Sequence, residues 1–234
     1  MKNKHQVHNL IILDESGSMN SIKKTIINGF NKLIKSVKNI EEEFLDQEHF
    51  ISLISFNSTK NNVIHFTEPV SKIITINDNN YNPESFTPLF DAMGLSILKL
   101  KHYLKDKVNY SVLVTILTDG EENASNGIYA GEPGRQLLFD KINHQKDIYN
   151  WVFFFMGTNF DAIKVGKNIG IEPETCINFA NTQDNCSKVI QSASEQINKF
   201  RSCPSSVFNN KDELKEMIAF NAQQRTSCTS VYKN

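Results

Sequence analysis

Residues 7–18 read Val7-His8-Asn9-Leu10-Ile11-Ile12-Leu13-Asp14-Glu15-Ser16-Gly17-Ser18, an apolar run with one polar break that stops at an acid-and-hydroxyl loop. Such a run fits a central strand covered on both faces, because a strand with one wet face would alternate apolar with polar. A helical stripe follows, in which Ile22, Ile26, Phe30, Leu33 and Val37 recur at spacings of three and four. Strand, polar loop and helix together make the first half of a βαβ unit.

Working outward, Phe50–Phe56 and Val63–Val70 read as two strands, and the turn formers at 57–62 predict that they pair as an antiparallel hairpin. Thr87-Pro88 predicts a helix start, with Thr87 as N-cap and Pro88 at the first helical position. Leu89, Met93, Ile97, Leu100 and Leu104 supply its buried face. Ser111–Leu117 is a second buried strand, ending at Thr118-Asp119-Gly120. Glu121–Arg135, with three glycines and a proline, predicts a surface loop. Beyond it come a helix around Gln136–Gln145, an aromatic strand Trp151–Met156 and a short helix Phe160–Asn168. A short edge strand Cys176–Ala180 and a helix Lys188–Phe200 close the series, with Val189, Ala193, Ile197 and Phe200 facing inward. Alternation of strands and helices implies a Rossmann-like, doubly wound α/β fold: an open, mostly parallel sheet of about six strands with helices on both faces. The pattern fades after Arg201. Residues 1–200 are therefore read as one domain and 201–234 as a C-terminal extension, with one helix over Lys211–Asn221 and a frayed tail from Thr226.

A chain of 234 residues can bury one sizeable core. Its formal net charge of -1 offers no electrostatic basis for binding nucleic acid or a membrane surface. Leu10–Leu13 is too short for a signal-peptide core, and no stretch reaches membrane-spanning length. The cysteines at 176, 186, 203 and 228 form no Cys-x-x-Cys pair, which argues against structural zinc and fits free thiols in a reducing cytoplasm. Nor do the histidines at 5, 8, 49, 65, 102 and 144 show ligand spacing.

Asp14 and Asp119 each sit where a buried strand ends. In a doubly wound sheet, ligands collect at the carboxyl ends of the strands, where connections diverge to opposite faces. Residues 14, 16 and 18 alternate, so an extended loop would aim Asp14, Ser16 and Ser18 the same way. Thr87 would open its helix onto the same crevice. All five groups are hard oxygens, which suit Mg²⁺ or Mn²⁺ and not zinc or copper. Two carboxylates balance a divalent ion, three hydroxyls add no charge, and an open coordination position remains for an acid from outside. Each piece alone has a plainer role: Ser18 or Thr87 capping a helix, Asp119-Gly120 making a turn. Their joint occurrence, each carboxylate after a buried strand, singles them out.

Asp14-Glu15-Ser16-Gly17-Ser18-Met19, Thr87-Pro88-Leu89-Phe90-Asp91-Ala92 and Leu117-Thr118-Asp119-Gly120 resemble the three segments of the von Willebrand factor A-domain family, whose ion site is called the metal-ion-dependent adhesion site. The resemblance covers residues 7–200. It implies an open sheet with one antiparallel edge strand, in agreement with the hairpin at 50–70. It also implies that Ser16, Ser18 and Thr87 coordinate Mg²⁺ through hydroxyls, that Asp14 and Asp119 bind directly or through water, and that a partner's Glu or Asp fills the open position. Met156-Gly157-Thr158-Asn159-Phe160-Asp161, followed by Gly170-Ile171, resembles stand-alone prokaryotic or phage-type members. Ser85-Phe86 departs from the pattern, since many relatives carry a glycine before the Thr, and a stiffer loop is expected.

The expected function is a non-enzymatic, metal-dependent protein-binding module. A second reading is an adaptor for a ring-forming AAA-type ATPase, because similar prokaryotic domains work beside such motors. A third, a Mg²⁺-dependent hydrolase, is disfavoured: no general base stands beside the ligands, and neither a phosphate loop nor a Gly-x-Ser-x-Gly elbow is present. Glu121 and Glu122 are read as solvent-facing acids. Asp91 is read as a first-turn charge suited to the helix dipole, with a possible supporting role at the site.

Overall fold

The computed structural model describes residues 4–158, 161–203 and 211–229. Six strands, β1 (His5–Asp14), β2 (Gln47–Asn57), β3 (Lys60–Pro69), β4 (Tyr110–Thr118), β5 (Val152–Gly157) and β6 (Cys176–Asn178), form one sheet in the spatial order β3-β2-β1-β4-β5-β6. The β2–β3 hairpin is antiparallel and the other four pairings are parallel. The hairpin ladder is irregular between Ile51 and Ile54, and Thr67 adopts the left-handed region at φ 48. The helices are α1 (Lys23–Glu43), α2 (Leu89–Leu104), α3 (Gly131–Tyr149), α4 (Ala162–Asn168), α5 (Gln183–Ser202), α6 (Lys211–Ile218) and α7 (Ala222–Thr229), with a 3₁₀ turn at Gly17–Ile22 leading into α1.

Two apolar layers flank the sheet. On one face Ile26, Phe30 and Val37 of α1 and Val189, Ile197 and Phe200 of α5 meet Ile11, Leu13, Leu117 and Met156. On the other, Leu89, Met93 and Ile97 of α2 and Leu138 and Ile142 of α3 meet Leu10, Ile12, Ile116 and Phe155. Alternate residues of each central strand therefore enter opposite layers, which is why β1 is apolar from Leu10 to Leu13 and β4 from Val112 to Leu117 apart from Thr115. At the far end of the sheet His8 is buried and stacks on Phe50 with ring centroids 4.9 Å apart. Burial, with the Lys107 charge nearby, pushes its imidazole down to about 3, so it stays neutral there.

Three helix starts differ from the sequence reading, and of these α5 begins at Gln183, five residues before Lys188, with the Thr182 hydroxyl accepting from Asn185 N. α2 begins at Leu89 and not at Pro88; Pro88 holds the N-cap position with ψ 64, and no side chain caps the helix. Thr87 is thereby released from capping. α3 begins at Gly131, inside the stretch read as loop, because Pro133 is tolerated in a first turn, where a missing N–H costs nothing. Glycine is required at 134, where a Cβ would stand 1.9 Å from the Tyr129 carbonyl carbon.

Tyr129 also packs on α2. A Cβ at Gly94 would stand 2.2 Å from its ring, and the ring is buried. Gly94→Ala is expected to lower stability by about 2 kcal/mol, overpacking outweighing the better helix propensity of alanine. Urea unfolding checks this, and a variant as stable as the parent would show that the ring moves freely.

Beyond Cys203, the described residues 211–229 carry two helices where one helix and a frayed tail from Thr226 were expected; residues 230–234 lie outside the described part. Leu214, Ile218, Phe220 and Cys228 join the α1–α5 layer. The Arg225 guanidinium donates to the carbonyls of Cys176, Pro173 and Glu174, and Ala180 N donates to Cys228 O, so α7 covers the β6 edge. No helix among the described residues is long and apolar enough to cross a membrane.

Candidate functional site

The strand order reverses between β1 and β4, and at that point the connections leave for opposite faces of the sheet. Leu13 pairs with Leu117, so Asp14 and Asp119 emerge side by side. Asp14 Oδ1 accepts from Ser16 N at 2.7 Å, and its Oδ2 accepts from Thr118 Oγ1 at 2.6 Å. Ser16 Oγ and Ser18 Oγ lie 3.2 Å apart, and Ser18 Oγ donates to Asp119 Oδ1 at 2.5 Å. Thr87 approaches from the far wall: a Cβ on Gly120 would lie 3.0 Å from Thr87 Oγ1, so glycine leaves room for that hydroxyl next to Asp119. The structure thus gathers Asp14, Ser16, Ser18, Thr87 and Asp119 at one spot. Four of the five are buried, while Ser18 is exposed.

The electrostatics fit a divalent cation. Burial pushes the Asp14 carboxyl up from 3.8 to about 6, against the bonds from Thr118 and Ser16 that pull it down; the charge of Asp119 adds a smaller push. Burial raises Asp119 as well, against its bond from Ser18. Among the described residues no Lys or Arg forms an ion pair with Asp14. Two neighbouring buried carboxylates without a basic counter-charge on Asp14 are costly unless protons or a cation compensate them. With two serine hydroxyls and a threonine hydroxyl alongside, the donor set is all hard oxygen, suited to Mg²⁺ or Mn²⁺. Among the described residues no group of three or more His, Cys, Asp or Glu side chains that could hold a metal ion is found.

A second layer braces this spot, and most of it was not read from the sequence. Glu15, the variable position inside Asp14-x-Ser16, is fully buried. Its Oε2 accepts from Ser55 Oγ at 2.6 Å, and its Oε1 accepts from Asn82 N and lies 3.2 Å from Lys60 Nζ. Its backbone bonds Phe56 O and Glu84 N. One residue therefore ties the end of β2, the hairpin turn and the segment leading to Thr87. Gly17 N donates to Ser85 O, which helps hold Ser85 in the left-handed region at φ 66. Tyr81 OH donates to Asp14 O at 2.7 Å. Glu122 does not face solvent as expected: its carboxylate accepts from Phe90 N, Ala124 N, Ser125 N and Ser125 Oγ. Asp91 accepts from Asn126 N and Gly127 N, and Thr87 N donates to Asn123 Oδ1. The start of α2 and the loop after Asp119 are in this way locked together. Of this layer the sequence reading names Asp91 as a supporting residue, and the hydroxyl of Thr118 directly before Asp119 is a further legible sign. In the Met156–Asp161 motif, Asn159 and Phe160 lie outside the described residues, while Asp161 caps α4 by accepting from Lys164 N.

No known family profile matches the sequence. Solved structures do match in shape. The vWF domain of the type V pili tip protein Mfa5 from Porphyromonas gingivalis is 10% identical, with a TM-score of 0.55 over 86% of this chain and 98% of that one. The SpRpn10 VWA domain is also 10% identical, with a TM-score of 0.53 over 80% and 94%. A variant of the PilB minor pilin from Streptococcus sanguinis is 13% identical, with a TM-score of 0.56 over 87% of this chain and 65% of the pilin, so this chain spans less than two thirds of the pilin's length. At such identities the likeness concerns architecture alone. Sheet order, the single antiparallel strand and the flanking helices give this chain the Rossmann-like α/β fold of von Willebrand factor A domains.

Proposed function

We propose that this chain is a non-catalytic protein-interaction module. In this reading Asp14, Ser16, Ser18, Thr87 and Asp119 hold Mg²⁺ or Mn²⁺, and the ion takes a Glu or Asp carboxylate from a partner protein. The observation that carries the reading is the convergence of two buried carboxylates and three hydroxyls at the switch point of the sheet. Oxygen-only ligation by two carboxylates leaves a divalent ion with no excess negative charge, so an outside acid is attracted to it. Glu122, one of the two acids just past Asp119 that could orient a reacting water, spends its carboxylate on the neighbouring loop, which favours binding over hydrolysis. The four free, buried thiols are consistent with a reducing cytoplasm.

The test uses the metal first and an acid second. Titration with Mn²⁺, followed by the electron paramagnetic resonance of the free ion, should show one ion taken up per chain. Peptides bearing a central Glu should then bind in Mg²⁺, lose binding in EDTA, and bind far less with Gln in its place. Absence of Mn²⁺ uptake removes the metal reading; peptide binding unchanged by EDTA removes the carboxylate reading.

A further inference from the structure

Strand β5 ends at Gly157, paired with Thr118, so Thr158 leaves the sheet alongside Asp119. Alternation along the two strands puts them on one side. Leu117 and Met156 enter the α1–α5 layer, whereas Ile116 and Phe155 enter the α2–α3 layer. Two residues on from Leu117 and Met156, Asp119 and Thr158 return to the α1–α5 side. Ser18 reaches Asp119 from that same side, at the foot of α1.

Thr158 is 1% exposed, and its hydroxyl has no hydrogen-bond partner among the described residues. Buried hydroxyls are almost always bonded, and an unbonded one is more costly than the methyl of a valine of the same shape. The backbone around it does not call for a hydroxyl: Gly157 O is already bonded to Phe179 N. A threonine here is explained if the hydroxyl has a partner in the working state of the neighbouring site.

We propose that the Thr158 hydroxyl supports the cation site as a positioning residue on the Asp119 side, engaged only when the cation is present and leaving the open coordination position to the partner's acid. This rests on the metal-binding reading given above and adds a residue to it from a fourth loop. The inference has a two-signed consequence. In the metal-free protein the hydroxyl contributes nothing favourable, so its removal should not weaken the fold. In the loaded protein it contributes, so its removal should weaken cation binding.

Thr158→Val and Thr158→Ser, made in the full chain, test this with Mn²⁺ alone as the probe. Thr158→Val should unfold in EDTA at the same temperature as the parent or higher, and bind Mn²⁺ about tenfold more weakly, the low end of the roughly 10- to 100-fold cost of losing a supporting residue at a metal site. Thr158→Ser, which keeps the hydroxyl, should restore the affinity despite the lost methyl. Parental Mn²⁺ affinity in Thr158→Val overturns the inference. A lower unfolding temperature in EDTA also overturns it, since the hydroxyl would then be part of the resting fold. If the parent itself takes up no Mn²⁺, the metal-binding reading falls and this inference with it; if the parent binds and Thr158→Val binds equally, only Thr158 is withdrawn.

Discussion

In EDTA at pH 7, Asp14→Asn should be more stable than the parent by up to about 3 kcal/mol, and it should take up no Mn²⁺. The carboxyl is raised in the fold from 3.8 to about 6, chiefly by burial. A raised acid contributes its full stability below its unfolded value and loses it as pH climbs through its folded value. Over roughly two units this amounts to about 3 kcal/mol at most. Asparagine has no charge to desolvate and can keep both bonds. Its Oδ1 still accepts from Ser16 N, and its Nδ2 can donate to Thr118 Oγ1 once that hydroxyl turns its proton to Gly120 O, 2.9 Å away. The difference between variant and parent should be small near pH 4 and grow between pH 4 and pH 7. Comparing the two cancels other titrating groups, His8 among them, whose depressed imidazole works in the opposite direction. In excess Mg²⁺ the order should reverse, because binding stabilises only the parent. Urea unfolding across pH decides it: parallel curves for the two proteins would mean that Asp14 carries no buried charge.

The second large effect concerns Glu15. Glu15→Ala is expected to cost about 3 kcal/mol, from the buried Ser55 hydroxyl left unbonded and the lost charge-assisted bond to Asn82 N. Lys60 can turn toward water, since its side chain is 35% exposed. Ser55 Oγ is buried and has no such freedom, and a buried group left unbonded costs about 1–3 kcal/mol. Glu15→Gln should lose much less, because its amide can serve both neighbours and only the charge pair with Lys60 goes. The alanine variant should also bind Mn²⁺ more weakly, since the segment that brings in Thr87 loses its tie to the Asp14 loop. Thermal unfolding and Mn²⁺ titration of the two variants separate these contributions. Equal losses in Glu15→Ala and Glu15→Gln would assign the effect to charge alone.

The parts of the fold visible in the sequence were those governed by local periodicity. β1 from Leu10 to Leu13 and β4 from Val112 to Leu117 are apolar but for Thr115 because both faces are covered, and the turn-rich 57–62 stretch pointed to a hairpin. Given those strands, the neighbouring placement of Asp14 and Asp119 followed from the architecture, and alternation brought in Ser16 and Ser18. The rest depends on contacts between segments far apart in the chain. Thr87 looked like an N-cap because Thr-Pro commonly is one, but its N–H is held by Asn123 and the helix starts two residues later. Glu15 carries no signal of its own, since its burial is created by Ser55, Lys60 and Asn82 arriving from elsewhere. Glu122 looked solvent-facing for the same reason. The helix start at Gly131 was hidden by the positive φ of Gly131 itself and by Gly134, which serves close packing against Tyr129 and not a loop.

The covering of β6 by α7 also limits how this domain can associate. With Arg225 occupying the carbonyls of Cys176, Pro173 and Glu174, that flank presents no ladder onto which a second polypeptide could add as a strand. The opposite flank, β3, is interrupted by its irregular pairing and by the twist at Thr67, both features that discourage extension of a sheet from chain to chain. Fibre-like growth through backbone pairing is thus blocked on one side and hindered on the other.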